Sequence, residues 1–443
     1  MHRTRVMDLH RTLRRFARDE GGALTILGLY LFAGMAVLGG LALDMTRLMV
    51  ARTELQVAAD STAHAALYLR DGMEPDAARA GALDIGLANM PRDRFGEILR
   101  AEDIHFGSFD VETQSFVIDA RGRDAVLVTT TRLRERANAV TTYLLQLVGA
   151  GSFDIRTEAV YETYVPRCLR EGLFADDVID VQSNNFYSSG FCMHSNAHVA
   201  LNNNNTFEQG SVVSMPEIDD LDLPKSGFEK NDGLEEALFE TTYQPKLTDR
   251  VDEILEGLAQ VGSPYRPSYL GATTEIELKG KTIAQDDLVK GRLHRMTCGG
   301  GGGHVTIDAG VQLNQMVILT DCKVKFGADV LIEDAIVATT NTDARSLSGA
   351  ADFAVGRDDG CAAGGGGKLV TAGGMDFAAK LALYGAQLVA RGDIRFAAQA
   401  EGVEGVSIVA GGRIDGSSNM SISYCDGMGM EDIYQARYFR LAA

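Results

Sequence analysis

The residues best suited to chemistry are three nearby aspartates, Asp176, Asp177 and Asp180. Carboxylates grouped on one face can bind Ca²⁺ or transfer protons during cleavage of a sugar chain. Acidic residues are frequent throughout the chain, however, with 61 aspartates and glutamates against 42 lysines and arginines and a formal net charge of −19. We therefore interpret the three carboxylates as part of a solvated acidic surface that keeps the protein soluble.

A glycine tract that ends at Gly367-Lys368 is the second candidate, because such a tract can bind phosphate. A phosphate-binding loop would need glycine in place of Ala362 and serine or threonine in place of Leu369. Residues 166–443 show no set of nucleophile, base and orienting group, and the histidines are too scattered to hold zinc. The sequence predicts no catalytic residue, no cofactor and no metal site, and hence a protein that is not an enzyme.

Six cysteines form an even set without a CxxC pair, and all of them follow residue 165. This pattern predicts disulfides formed in an oxidising compartment. Six cysteines allow about fifteen connectivities, among which proximity in the sequence favours two short loops and leaves one further pair. The favoured pairs are Cys168 with Cys192, Cys298 with Cys322, and Cys361 with Cys425.

The first element that must position these residues is an uncharged apolar span from Ala23 to Leu43. As a helix it would be roughly 30 Å long, enough to cross a bilayer once. No glycine or proline interrupts residues 41–71, so residues 23–72 are predicted to form a transmembrane helix that continues as a stalk. An apolar stripe marks the face by which the stalk packs on its own domain. It consists of Leu48, Leu55, Ala59, Thr62, Ala66 and Leu69.

Basic residues before the apolar span predict its orientation, since positive charge keeps its flank in the cytoplasm. Residues 1–22 are therefore predicted to be a cytoplasmic tail, and the rest of the chain to be exported. The topology-determining residues are Arg11, Arg14, Arg15 and Arg18. A cleaved signal peptide is the alternative, but the span is longer than usual for one and lacks a convincing cleavage site. No cluster of lysine and arginine follows residue 70, which argues against a nucleic-acid partner.

Residues 73–165 are predicted to form a small α+β domain. A helix is expected over 76–88, preceded by Pro75, and a second helix over 138–148. Four stretches have the composition and alternation of strands. They are residues 104–109, 115–119, 125–131 and 153–164.

Residues 166–443 combine many glycine turns with short β-branched bursts, which predicts a β-rich domain. We expect a right-handed parallel β-helix, with a β-sandwich as the alternative. Val317-Ile318-Leu319 and Ile336-Val337-Ala338 lie 19 positions apart, close to one turn of a β-helix. The asparagine-rich residues 184–207 suit stacked asparagine ladders.

Residues 217–262 break this pattern and are predicted to be a helical insertion. Residues 247–260 have the pattern of an amphipathic helix, with Thr248 as its N-cap.

Four stretches of the first part of the chain resemble TadG-like proteins of the Tad/Flp pilus-assembly system. They are the charged RRFARDEGGAL, the apolar span closed by Asp44, ARTELQVAADSTAHAAL, and IHFGSFDVETQSFVIDARGRDAVLVTTTR. The resemblance covers residues 14–165. Related minor pseudopilins carry a glutamate a few residues after a processing glycine. None of the five residues that follow Gly22 here is acidic, so we expect the anchor to stay uncleaved.

The resemblance implies a single-pass protein of the bacterial inner membrane with most of the chain in the periplasm. Its expected role is structural or scaffolding, in a pilus-assembly (tight adherence) machinery. Its expected partners are the membrane and other pilus-assembly or pilin-like proteins, bound by the stalk helix and the outer domains, with a possible surface or polysaccharide contact by the C-terminal domain. The alternative function is a membrane-tethered, exported β-helical polysaccharide lyase or hydrolase. In that case Asp176, Asp177 and Asp180 would resemble the carboxylates of such enzymes.

Overall fold

A continuous helix, α1 (Gly22–Gly72), opens the computed structural model, which describes residues 22–271, 275–299, 302–349 and 352–443. Its 51 residues correspond to a length of about 76 Å. Among the described residues, α1 is the one helix that is long and apolar enough to span a membrane. The uninterrupted helix predicted from the sequence is therefore present. Arg11, Arg14, Arg15 and Arg18 lie outside the described residues.

The chain divides into two units. Unit 1 contains the described residues up to Tyr164 together with Arg437–Ala443, and unit 2 contains Val165–Ala436.

Unit 1 packs α1 and two further helices, α2 (Pro75–Asn89) and α3 (Arg92–Phe95), with short strands. The strands are β1 (Ile104–Asp110), β2 (Ser115–Ile118), β3 (Ala125–Arg132), β4 (Val140–Thr141), β5 (Ser152–Phe153) and β6 (Ile155–Tyr164). An antiparallel sheet has the order β2-β1-β3-β6, while β4 and β5 pair separately. The structure has α2 and the longer strands close to their predicted positions.

The helix predicted over 138–148 is wrong. Residues 140–141 pair as β4 with β5, and only Leu145–Val148 form a single 3₁₀ turn. The Asp44 carboxylate of α1 accepts hydrogen bonds from the backbone N–H groups of Tyr143, Leu144 and Leu145. The pairing of β4 with β5 and the hydrogen bonds to Asp44 both hold the segment in a non-helical conformation, so only one helical turn forms.

A strand at the end of the chain, Tyr438–Leu441, pairs antiparallel with β6, with Tyr438 opposite Tyr164. The Phe439 ring lies 6.3 Å from the ring of His64 and 6.2 Å from that of Tyr68, both on α1. The predicted C-terminal domain, 166–443, therefore ends too late, because these aromatic contacts and the strand pairing hold residues 437–443 in unit 1. Unit 2 is inserted between two neighbouring strands of unit 1.

Unit 2 begins with the short helix α4 (Arg167–Arg170). The unit is β-rich, and its described strands are short except for two near its end. They are β7 (Gly172–Ala175), β8 (Ile179–Val181), β9 (Phe186–Tyr187), β10 (Cys192–Ser195), β11 (Val199–Leu201), β12 (Asn205–Phe207), β13 (Val212–Met215), β14 (Asn231–Asp232), β15 (Leu238–Glu240), β16 (Ile276–Glu277), β17 (Thr282–Ile283), β18 (Leu293–Met296), β19 (His304–Ile307), β20 (Gln312–Asn314), β21 (Val317–Thr320), β22 (Lys323–Phe326), β23 (Leu331–Glu333), β24 (Ala335–Thr339), β25 (Leu347–Gly349), β26 (Phe353–Val355), β27 (Gly367–Thr371), β28 (Met375–Ala390), β29 (Ile394–Ala410), β30 (Ile414–Gly416) and β31 (Ser421–Ser423).

These strands pair in parallel, and the partner lies about 20 residues away along much of the chain. Val317 lies opposite Ile336, so the predicted interval of 19 residues is confirmed. Strands β10, β11 and β12 pair in turn with β7, β8 and β9. Late in the chain, β29 pairs with β7, with Ile408 opposite Leu173. A strand near the end of unit 2 therefore pairs with the first strand of that unit.

Buried asparagines form hydrogen bonds between neighbouring parallel segments. The Asn205 side-chain oxygen accepts the backbone N–H of Asn185 at 3.0 Å, and the Asn231 oxygen accepts that of Asn205 at 3.2 Å. The Asn185 oxygen in turn accepts the N–H of Met420 at 2.9 Å. The asparagine-rich segment therefore forms the ladder that its composition suggested.

Residues 217–262 are only partly helical. They include the short helix α5 (Leu234–Ala237), and also β14 and β15, which pair in parallel with β12 and β13. The predicted helix over 247–260 is divided into α6 (Lys246–Asp249) and α7 (Val251–Ala259). Thr248 is not an N-cap, because it lies inside α6 and its hydroxyl donates to the Pro245 carbonyl at 2.8 Å.

Candidate functional site

The C-terminal half of α1 packs by one face against the sheet of unit 1. The Thr130 hydroxyl on β3 donates to the backbone carbonyl of Leu55 at 2.9 Å. The apolar stripe predicted on this face is confirmed from Leu55 to Ala66, where its residues are buried. Its two end residues, Leu48 and Leu69, are half-buried. The buried α1 residues of this face are Leu55, Ala58, Ala59, Thr62, Ala63, Ala66 and Leu67. Small side chains thus let the helix lie close to the sheet.

Another face of the same helical segment is apolar and open to solvent. Met49, Val50 and Val57 are exposed to 69%, 52% and 55% and line a groove of about 720 Å³. Met90, which follows α2, and Phe95, the last residue of α3, also line the groove. We call these five residues the stalk groove. An exposed apolar groove of this kind is typical of an interaction site.

The six predicted cysteines are joined as Cys168–Cys192, Cys298–Cys322 and Cys361–Cys425. These are the pairs that sequence proximity favours. Two of the bridges lie beside carboxylates, at Asp321 and Glu404, in an arrangement that resembles a metal cluster. Because the sulfur atoms are bonded to one another, they are not thiolates and these clusters are not metal sites.

The structure does not bring Asp176, Asp177 and Asp180 together into a metal-binding cluster among the described residues. Asp176 accepts a hydrogen bond from the Asn196 amide at 2.7 Å, and Asp180 forms an ion pair with Arg413. Asp177 is exposed. Their separate partners agree with the role of surface charges.

A set of nucleophile, base and orienting group does exist in unit 2, although the sequence showed none. The Nδ1 atom of His194 lies 2.8 Å from Ser214 Oγ, and its Nε2 lies 2.9 Å from Asn196 Oδ1. An amide oxygen only accepts, so Nε2 carries the proton and Nδ1 can accept the serine hydroxyl. His194 and Ser214 are fully buried, which leaves a substrate no access to this serine. The 20-residue interval, which places Ser214 opposite His194 in the β10–β13 pair, is the signal that could have revealed this set.

Acid is expected to destabilise unit 2 through His194. Burial lowers the pKa of His194, so the unfolded chain binds the proton at a higher pH than the folded chain does. The stabilising effect of the neutral side chain is complete above the unfolded pKa of about 6.5. It is lost as the pH falls towards the folded pKa, by at most about 1.4 kcal/mol per pH unit. Urea denaturation between about pH 8 and about pH 5 measures the slope.

The variant His194→Gln should show a shallower loss of unfolding free energy with acid than the wild type. The exposed His304 offers a matched control, and His304→Gln should keep the wild-type slope. Equal slopes in the wild type and His194→Gln would contradict the prediction. Burial also lowers the pKa of His294, so some acid dependence should remain in every variant.

A small polar pocket of about 250 Å³ surrounds Lys368 in unit 2. Asp334 and Asp432 line it with the lysine, whose ammonium lies 5.4 Å from the centre of the Tyr434 ring. Burial lowers the pKa of Lys368, although the two aspartates oppose this shift. Three glycines, Gly366, Gly385 and Gly429, also line it. A β-carbon on Gly366 would lie 2.5 Å from the Gly385 carbonyl oxygen, and one on Gly385 would lie 2.7 Å from that of Gly429. A lysine in such a pocket can bind an anion or accept a proton.

The pocket is not a phosphate-binding loop. Gly367 and Lys368 lie within strand β27, whereas a phosphate-binding loop joins a strand to a helix. The spacing argument from the sequence therefore agrees with the local structure.

Two families match the chain. The family described as "Putative Flp pilus-assembly TadE/G-like" matches residues 21–84, which include all of α1 and the first two thirds of α2. A second family, described as "Domain of unknown function (DUF7867)", matches residues 172–426, nearly all of unit 2. No curated protein and no solved structure matches the chain. The resemblance of the N-terminal region to TadG-like proteins is confirmed, and it supports a role in pilus assembly.

Proposed function

The chain belongs to the DUF7867 family, and since its N-terminal region is TadE/G-like, we propose that it is a membrane-anchored scaffolding component of a Tad/Flp-type pilus-assembly machinery. The observation that carries this proposal is the TadE/G-like match on α1. This one helix combines an apolar span with the stalk groove, so it can join a membrane to a protein partner. We propose that the partner is another pilus-assembly or pilin-like protein, which places an apolar helix in the groove.

We further propose that residues 1–22 are cytoplasmic and that both units face the periplasm. The arginines before Ala23 support this orientation. A phosphatase fused after Ala443 should then be active, and a reporter that requires the cytoplasm should be silent there. Replacing all four arginines with glutamate, at Arg11, Arg14, Arg15 and Arg18, should weaken the preference for a cytoplasmic N-terminus. An active cytoplasmic reporter after Ala443 in the unaltered protein would contradict the proposed orientation.

For unit 2 we propose a right-handed parallel β-helix. Its successive strands pair in parallel at intervals near 20 residues, and β7, β8 and β9 each find a partner one interval later. A β-sandwich is built mainly from antiparallel pairs and hairpins, which makes it the weaker alternative. A β-helix offers long, regular faces, which suit a spacer or a recognition surface.

Deletion of unit 2 tests the scaffold. Because Tyr438 lies opposite Tyr164, a short hairpin turn can replace residues 165–436 and keep every strand of unit 1. We expect this variant to reach the membrane and to abolish pilus assembly or surface attachment, since the surface carried by unit 2 is lost. Normal pili in cells that contain only this variant would overturn the proposed role of unit 2.

The alternative is a tethered enzyme that cleaves an acidic polysaccharide, and the Lys368 pocket is the observation that favours it. Under the scaffold proposal, Lys368→Ala and the separate variants Asp176→Asn, Asp177→Asn and Asp180→Asn should all leave pilus assembly nearly intact. Depolymerisation of an acidic polysaccharide by the purified protein, lost in one of these variants, would establish the enzyme instead.

The exchange Val57→Glu is expected to reduce binding of the partner by about tenfold or more. Val57 is largely exposed, so the charge should cost the fold little, but it would replace one of the apolar side chains that line the stalk groove. Affinity capture of the cross-linked protein from membranes, with the recovered pilus-assembly proteins quantified, measures the effect. The matched control is Val117→Glu on β2, where the valine is 61% exposed and does not line the groove. Equal recovery with both variants would exclude the stalk groove as the binding site.

A further inference from the structure

A short apolar loop of unit 1 exposes large side chains beside α1. We define the apolar loop as residues 143–147, with the sequence Tyr-Leu-Leu-Gln-Leu. Leu147 is 80% exposed, Tyr143 is 56% exposed and Leu144 is 40% exposed. Three exposed apolar residues out of five are unusual for a loop that faces water.

The loop is held in this position by a buried carboxylate. Asp44 is 1% exposed and accepts the backbone N–H groups of Tyr143, Leu144 and Leu145 at 2.7, 2.9 and 2.8 Å. The Arg47 guanidinium lies 4.3 Å from the centre of the Tyr143 ring. Asp44 stands at the end of the apolar span, so the same residue that closes the span also fixes the loop to it.

The loop lies alongside the span rather than beyond it. Ala36, Val37 and Leu41 of α1 share a small apolar cavity of about 110 Å³ with Leu144, Leu145 and Leu147. Leu144 also packs directly on Gly40, where a β-carbon would approach its side chain to 2.7 Å. Ala36 precedes Leu43 by seven positions, which places the contact up to about 10 Å inside the span along the helix axis.

We propose that the apolar loop inserts into the same bilayer as α1 and gives unit 1 a second membrane contact. The occupant of its exposed surface is the acyl region of the lipid, because the loop continues the exposed apolar surface of the span at the same depth. Tyr143 and Arg47 lie where the hydrocarbon meets the headgroups, a position that aromatic and basic side chains favour. Two contacts, unlike one helix alone, fix the tilt and the rotation of unit 1 on the membrane. This inference depends on the proposed membrane anchor.

Tryptophan fluorescence tests the insertion directly, because the chain contains no tryptophan. Three single-tryptophan variants of the full chain are compared in vesicles made with lipids brominated on the acyl chain. Leu147→Trp reports on the loop and Leu31→Trp on the span. Val117→Trp is the matched exposed control, because Val117 lies far from the apolar span. The Arg70 guanidinium donates to the Arg121 carbonyl in the turn after β2. Arg70 lies 26 residues beyond Asp44, or about 39 Å along the helix.

We expect the brominated lipid to quench Leu147→Trp within about twofold of Leu31→Trp, and to leave Val117→Trp unchanged. Soluble acrylamide, which quenches from the water phase, should quench Val117→Trp strongly and Leu147→Trp and Leu31→Trp weakly. Quenching of Leu31→Trp without quenching of Leu147→Trp would overturn the loop insertion and leave the anchor intact. If neither is quenched, the anchor fails as well. Protection of Leu147→Trp from both quenchers would indicate a protein neighbour, such as a second copy, and would also overturn the proposal.

Discussion

Replacing Gly356 by alanine is expected to destabilise unit 2 by about 4 kcal/mol, a large share of the stability of a typical domain. Gly356 follows β26 with φ +86°, and its N–H donates to the Ile332 carbonyl at 2.7 Å. A β-carbon here would lie 1.5 Å from the backbone oxygen of Tyr384 in β28. Backbone atoms of paired strands cannot turn aside as a flexible side chain can, so the strands must separate.

The matched control is Gly360→Ala, four residues further along the chain. Gly360 also has a positive φ, +68°, but a β-carbon there would meet nothing within 4 Å. We expect this variant to lose only about 1 kcal/mol, the cost of the backbone conformation alone. Urea denaturation of the purified protein, followed by protease sensitivity of unit 2, separates the two effects. Similar losses in both variants would show that the close approach to Tyr384 contributes nothing.

Local patterns in the sequence predicted those parts of the fold that local residues determine. The apolar span, the stalk helix and strand β3 depend on periodicity within a few turns or residues, and the structure has all three. Residues 138–148 have a helical composition, but Asp44 lies about 100 positions away and binds three of their N–H groups. Such a tertiary constraint overrides helix propensity and leaves no trace in the segment itself.

The repeat interval in unit 2 could be found from the sequence, but the pairing of its last strands with its first strands could not. The match of Val317 with Ile336 needs only one interval, and two disulfides join residues 24 positions apart. The pairing of Ile408 with Leu173 joins residues 235 positions apart, across the whole of unit 2. No periodic signal specifies that contact, because any apolar strand of the right length would fit the same edge.

The stalk groove, the candidate interaction surface, could be predicted only in part from the sequence. The charged residues of the stalk, among them Arg47 and Glu54, indicate a solvated face opposite the packed stripe. The structure shows that Met49, Val50 and Val57 interrupt that face with apolar surface, and that Met90 and Phe95 turn it into a groove. The last two residues follow α2, and their position depends on how that helix folds back on α1.

Removal of the Cys361–Cys425 disulfide by Cys361→Ala with Cys425→Ala is expected to cost about 4 kcal/mol of unfolding free energy. The bridge closes a loop with a sequence separation of 64, against 24 for Cys298–Cys322. In the chain-entropy model the longer loop restricts the unfolded chain more, and the shorter loop should cost only about 3.5 kcal/mol. The closed segment includes β29, so loss of the disulfide should loosen the pairing of β29 with β7.

Urea midpoints of the two double variants, each compared with the wild type before and after reduction, measure these costs. A larger loss for Cys298→Ala with Cys322→Ala would contradict the entropic order. The same bridges test the compartment, because disulfides persist outside the cytoplasm and are reduced within it. Alkylation of the unfolded, unreduced protein from membranes should therefore find no thiol. Six reactive thiols would contradict export of unit 2, and with it the proposal that this unit acts as a periplasmic scaffold.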